Sequence, residues 1–175
     1  MQKKNIIEKA CCYALEKVTF DQHTPRGRFA TNAARALAIH GAIVLACYFI
    51  LFLRIDYGGQ ILLSLAALCG YIFLGYHLLI PLQSRNLLSV SWFAAPFSLI
   101  LAAHYFISGD IIAFAVLNYP VGVLAASLST MLVGGADFFF ERLQYIVFLS
   151  AFIPSLCMYF GLRLKAWGQS RANGD

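Results

Sequence analysis

The chain has 175 residues, 61% of them hydrophobic and 12% charged, with a formal net charge of +5. Soluble domains carry about 25% charged residues, so this composition argues against a water-soluble globule and makes lipid the expected solvent. Seven of the 13 Lys and Arg precede Ala36 and give that segment most of the net charge. They read as a positive cytoplasmic flank, compatible with anionic lipid headgroups, and not as a nucleic-acid surface.

The expected fold is all-α: an integral membrane helical bundle of about five transmembrane helices, with an amphipathic surface helix at the N-terminus. Residues 1–35 form the basic, cytoplasmic segment. Ile7, Cys11, Ala14, Leu15 and Val18 share one helical face, with Lys9, Glu16 and Lys17 off it, which predicts a short helix lying on the inner membrane surface. No apolar h-region follows the first lysines, so no secretory signal is read there. Pro25-Arg26-Gly27-Arg28 is expected to break that helix before the first span.

Span one is predicted over residues 36–53, with Ala38, Ala42 and Ala46 as a small face and His40 near its cytoplasmic end. Arg54 to Gly59 reads as a tight turn. Span two covers 61–82, with Ala66 and Gly70 at small-xxx-small spacing, His77 near its end and Pro81 helping to stop it. Span three covers 87–107. Ala94, Ser98 and Ala102 form its small face, Pro96 predicts a kink by freeing the Trp92 carbonyl, and His104 approaches the opposite end.

Span four, 111–134, contains no charged side chain. Gly122, Ala126, Thr130 and Gly134 repeat every four residues along it, and Asn118-Tyr119-Pro120 interrupts it. Span five covers 143–162, where Pro154 is expected to free the Ser150 carbonyl. Residues 163–175 form a short polar tail, anchored by Arg163, Lys165 and Trp167 and disordered from Gly168 onward.

With the N-terminus inside, five crossings put nine Lys and Arg on the cytoplasmic side and four outside. If 111–134 dips in and returns, the basic tail moves inside and the tally becomes eleven to two. Charge prefers this re-entrant version. Length and apolarity prefer five crossings, because non-helical backbone at membrane depth must be shielded from lipid.

Polar groups at membrane depth are the candidate functional residues. Asn118 is the deepest strong hydrogen-bonding side chain, and with the break at Pro120 it marks a path for a small solute. His40 and His77 approach the same leaflet, where two imidazoles could hold a metal or pass a proton, or could simply bond neighbouring helices. His104 lies near Asp110 at the outer face. The five cysteines read as small apolar side chains, with S-acylation of Cys11 or Cys12 as the alternative. No HExxH, GxSxG or paired intramembrane acid occurs, so no catalytic residue, cofactor or metal site is assigned. The leading expectation is a non-enzymatic component of a bacterial inner membrane that packs against itself or a membrane-protein partner. A small-solute permease or channel subunit is the alternative, and an intramembrane enzyme a distant third.

Overall fold

The computed structural model describes residues 24–51, 56–82, 85–92 and 152–173, together with Pro96, Ile100 and Ile107. The surface helix expected before residue 24, all of span four and most of span three lie outside the described residues. So do His104, Asn118, Pro120, the Gly122/Ala126/Thr130 stripe and the Ala94/Ser98/Ala102 face. The described residues form four helices and no strand: α1, Pro25–Leu51; α2, Tyr57–Leu78; α3, Asn86–Ser91; and α4, Ile153–Asn173. Two of them, α1 and α2, are long and apolar enough to cross a membrane.

Helix α1 starts where the sequence suggested a break. Thr24 caps it: its Oγ1 accepts from the Gly27 N–H at 3.0 Å, and its carbonyl accepts from the Arg28 N–H at 3.0 Å. Pro25 follows in the first turn, where its fixed φ suits the helix and its missing N–H has no partner to lose. Pro25 therefore starts a helix, and α1 begins well before the expected Ala36. Asp56 caps α2 in the same way, its Oδ1 accepting from the Gly59 N–H at 3.0 Å. The expected turn glycines Gly58 and Gly59 thus fall in the first turn of α2.

At its other end α2 stops at Leu78, ahead of the expected Leu82. Leu79 is extended (φ −86°, ψ 154°). Pro81 disfavours helical backbone at Ile80, the residue before it. Residues 79–82 are outside any helix, and Arg85, whose φ of 63° and ψ of 24° are left-handed, stands directly before α3. A non-glycine residue there costs roughly 1–2 kcal/mol.

Helix α4 departs most from expectation. Pro154 is buried in its first turn and not in its interior, so the helix starts beside it instead of kinking there. The helix also continues through the supposed polar tail to Asn173. Leu162-Arg163-Leu164-Lys165-Ala166 consists of good helix formers, and a single glycine such as Gly168 costs only about 1 kcal/mol.

Packing follows helical period. α2 buries Ser64, Ala67, Tyr71 and Gly75; α4 buries Ser155, Met158, Gly161 and Leu162; α1 buries Asn32, Ala36, Ile39 and His40. The tightest contact joins α2 to α4. A Cβ built on Gly75 would stand 2.5 Å from the Met158 carbonyl oxygen, and one built on Gly161 would overlap the Ile72 carbonyl. The two backbones therefore touch through two glycines. Lys165, midway along α4, meets the end of α2 at the His77 and Leu79 carbonyls, and the start of α4 meets α3, where the Ser155 hydroxyl lies 3.5 Å from the Val90 carbonyl.

Candidate functional site

The polar groups of the described chain gather where α2 ends. Leu79 to Leu82 belongs to no helix or sheet, so its N–H and C=O groups need other partners. Two asparagines supply them. Asn32, fully buried on α1, accepts from the Ile80 N–H at 2.9 Å and donates through Nδ2 to the Ile80 carbonyl at 2.8 Å. Asn86, in the first turn of α3, does the same for Leu82: its Oδ1 accepts from the N–H and its Nδ2 donates to the carbonyl, both at 2.8 Å. Between these clamped residues stands Pro81, which has no N–H to satisfy. Each carboxamide thus imitates the edge of a neighbouring strand.

The free carbonyls of α2 take two cations. Arg35 donates through Nη1 to the Leu78 carbonyl at 2.7 Å, and Lys165 donates through Nζ to the Leu79 carbonyl at 2.8 Å and to that of His77 at 3.4 Å. The negative end of the helix dipole favours both charges there. They still repel each other: burial first, and the Arg35 charge second, hold the Lys165 ammonium below the usual lysine pKa. Ser89 completes the cluster, donating to the Asn86 carbonyl at 2.8 Å and lying 3.4 Å from Asn32 Nδ2.

Beside this clamp lies a cleft of about 550 Å³. Arg26 and Arg28 reach it from the first turn of α1, and Arg85 from the left-handed turn before α3. Its apolar wall is Phe29 and Trp92, packed edge to face with centroids 5.9 Å apart, with Leu82 and Leu88. No carboxylate is among the described residues that line it. The Arg28 Nε is buried without an acceptor, as is the Thr31 Oγ1 one turn further along α1. Three guanidiniums beside the positive end of α1 make this a place for an anion. Across Leu88 and Arg85 the cleft adjoins a second, almost wholly apolar groove of about 610 Å³, which Leu87, Phe152 and Leu156 help to line.

The histidines named from sequence have different neighbours. His40 is buried, with Nδ1 2.9 Å from the Tyr71 hydroxyl. His77 is exposed and packs between Phe73 and Tyr76, with centroids at 4.4 and 5.0 Å. Pro154 sits in the first turn of α4, and Pro96 is helical and exposed. Of the small faces, Ala38, Ala42 and Ala46 are all exposed, while Gly70 makes an ordinary contact with Ile43. Cys47 is buried, Cys157 half-buried and Cys69 exposed.

Sequence reasoning missed Asn32, Asn86 and the three arginines of the cleft. Asn32 and Arg35 stand one turn apart just ahead of an apolar run, and that pairing was the available signal. What they bond lies 48 and 43 residues away. No protein-family model, curated protein or solved structure matches the chain.

Proposed function

We propose that this chain is a multi-pass integral membrane protein with its N-terminal flank in the cytoplasm, a non-enzymatic component that acts by packing against a second copy or another membrane protein. The observation that carries the reading is the large apolar surface that its helices expose. Only 28% of the apolar window of α1 and 22% of that of α2 are buried. Large apolar side chains point outward: Leu45 is 71% exposed, Phe49 76%, Leu62 68% and Phe73 61%. Turned inward, beside a core of Ile39, Tyr71, Leu79, Met158 and Leu162, are Thr31, Asn32, His40, Ser64, Ser89 and Ser155. Water drives the opposite arrangement. A bilayer favours this one, because lipid tails accept the leucines and phenylalanines while polar groups must find partners inside the protein.

Packing as the mode of action is supported by how α2 meets α4. Without water to drive helices together, close backbone approach through small residues supplies the contact energy. The chain already uses that device at Gly75 and Gly161. It leaves a second small face, Ala38/Ala42/Ala46, exposed on α1. The bonds from Lys165 to the His77 and Leu79 carbonyls support the even-crossing version of the sequence reading over five crossings, because they bring Lys165 to the end of α2 that Arg35 also bonds.

The test uses membranes from cells expressing the full chain. Alkaline carbonate should leave the protein in the pellet, and mild detergent should release it in a complex larger than one chain. Ala42→Leu, on an exposed position, should keep the protein in the membrane and dissolve the complex. Release by carbonate sinks the membrane reading. A wild-type chain that is monomeric in mild detergent sinks the packing role.

A further inference from the structure

We infer that the arginine-lined cleft at the start of α1 binds the phosphate of an anionic phospholipid, with the lipid's chain lying in the adjoining apolar groove. The inference rests on the membrane reading and adds a ligand and a site to it.

The charge argument comes first. Arg26, Arg28 and Arg85 arrive from two separate segments and line one cleft, with no carboxylate among the described lining residues. Asp56, the only acid among the described residues, caps the opposite end of α2, a 22-residue helix. At 1.5 Å per residue that is about 33 Å away. Nothing described near the cleft therefore neutralises its guanidiniums. The positive end of α1 adds to the field, since no acidic side chain occupies its first turn. The Arg28 Nε is shut from solvent with no acceptor. A buried charged donor left in that condition calls for an anionic acceptor.

The shape argument selects a lipid over a free anion. A soluble phosphate needs only the guanidiniums. Here they stand against an aromatic wall, Phe29 and Trp92, and the cleft adjoins a groove lined by Leu87, Leu88, Phe152 and Leu156. Charge at one end and an apolar trough continuing from it match a headgroup and its chain. The cleft also lies at the end of α1 and α2 that carries the described cations Arg26, Arg28, Arg35, Arg85 and Lys165, where anionic headgroups of a cytoplasmic leaflet collect.

Trp92 provides the readout. The chain has two tryptophans, so Trp167→Phe leaves Trp92 alone. The full chain with that change is reconstituted into phosphatidylcholine bilayers containing a minor share of brominated-chain phosphatidylglycerol or, in a parallel arm, brominated-chain phosphatidylcholine. Brominated phosphatidylglycerol should quench Trp92 well beyond the phosphatidylcholine arm. Arg26→Gln and Arg85→Asn should each lower that preference about fivefold, the factor expected per basic residue at an anionic surface. Both residues are exposed, and asparagine tolerates the left-handed backbone at 85, so folding is preserved. Millimolar inorganic phosphate should leave the quenching unchanged. Equal quenching in the two arms overturns the site, as does a preference that survives the double variant. Relief by inorganic phosphate overturns the lipid as ligand. Protein that stays with the vesicles in any of these cases leaves the membrane reading intact, whereas protein that separates from them overturns that reading itself.

Discussion

Asn32 does with one side chain what a neighbouring strand does with backbone. It closes both hydrogen bonds of Ile80, and Asn86 repeats the device on Leu82. Replacing Asn32 by leucine keeps the volume and strands an N–H and a C=O. At about 1–3 kcal/mol for each buried group left unpaired, Asn32→Leu should destabilise the fold by roughly 2–6 kcal/mol, read as a lower unfolding temperature in detergent. Asn32→Asp keeps the acceptor for the Ile80 N–H and loses the donor to its carbonyl, so it should fall between leucine and wild type. Lys165 makes a prediction in pH. Its folded pKa lies below the unfolded value because burial and Arg35 oppose the charge. The folded state then binds that proton less readily than the unfolded one, and the charged lysine lowers stability at neutral pH. Stability should rise as pH climbs from the depressed value toward the ordinary 10.5. Lys165→Met should remove that rise in a pH-dependent unfolding series, even though it also loses the bond to the Leu79 carbonyl.

At the level of the helices, the glycines divide by their surroundings. Gly161 has no room for a methyl group, because the Ile72 carbonyl and the Tyr76 nitrogen occupy the place. Gly41, inside α1, has nothing within 4 Å of its Cβ position. Gly161→Ala should therefore force α2 and α4 apart and cost more than the roughly 1–3 kcal/mol typical of overpacking, because the obstructing atoms are backbone. Gly41→Ala should be neutral or stabilising by up to about 1 kcal/mol. Thermal unfolding of the two variants side by side checks both. The sequence reveals the apolar runs that became α1 and α2, since a run of that length has few other uses, and Pro81 marks the stop of α2. It misleads at Pro154, because proline begins helices as readily as it kinks them and composition does not say which. It is silent on Gly75 with Gly161, on Asn32 with Ile80, and on the three arginines of the cleft. Each of these pairs segments far apart in the chain, and local patterning carries no term for such a meeting.

For the molecule as a whole, the side on which α4 ends decides the topology. Sequence set two rules against each other: length favoured five crossings, and the distribution of Lys and Arg favoured an even number. Lys165 bonds the carbonyls at the end of α2, and Arg35 bonds the next carbonyl from α1, so the basic half of α4 shares an end with the start of α1. We propose an even number of crossings on that ground, which is what the charge rule requires. Ser170 is exposed on the last turns of α4, past the apolar part of that helix. Ser170→Cys in the full chain, with Cys69→Ala removing the exposed native thiol, gives one accessible reporter among the described residues. In sealed cells a membrane-impermeant maleimide should leave it unlabelled, and the same reagent should label it once the membrane is opened. Labelling from outside in intact cells would put the end of α4 across the bilayer from Arg26 and Arg28. That outcome is incompatible with the bond from Lys165 to Leu79, so it would overturn the α2–α4 pairing along with the even count of crossings.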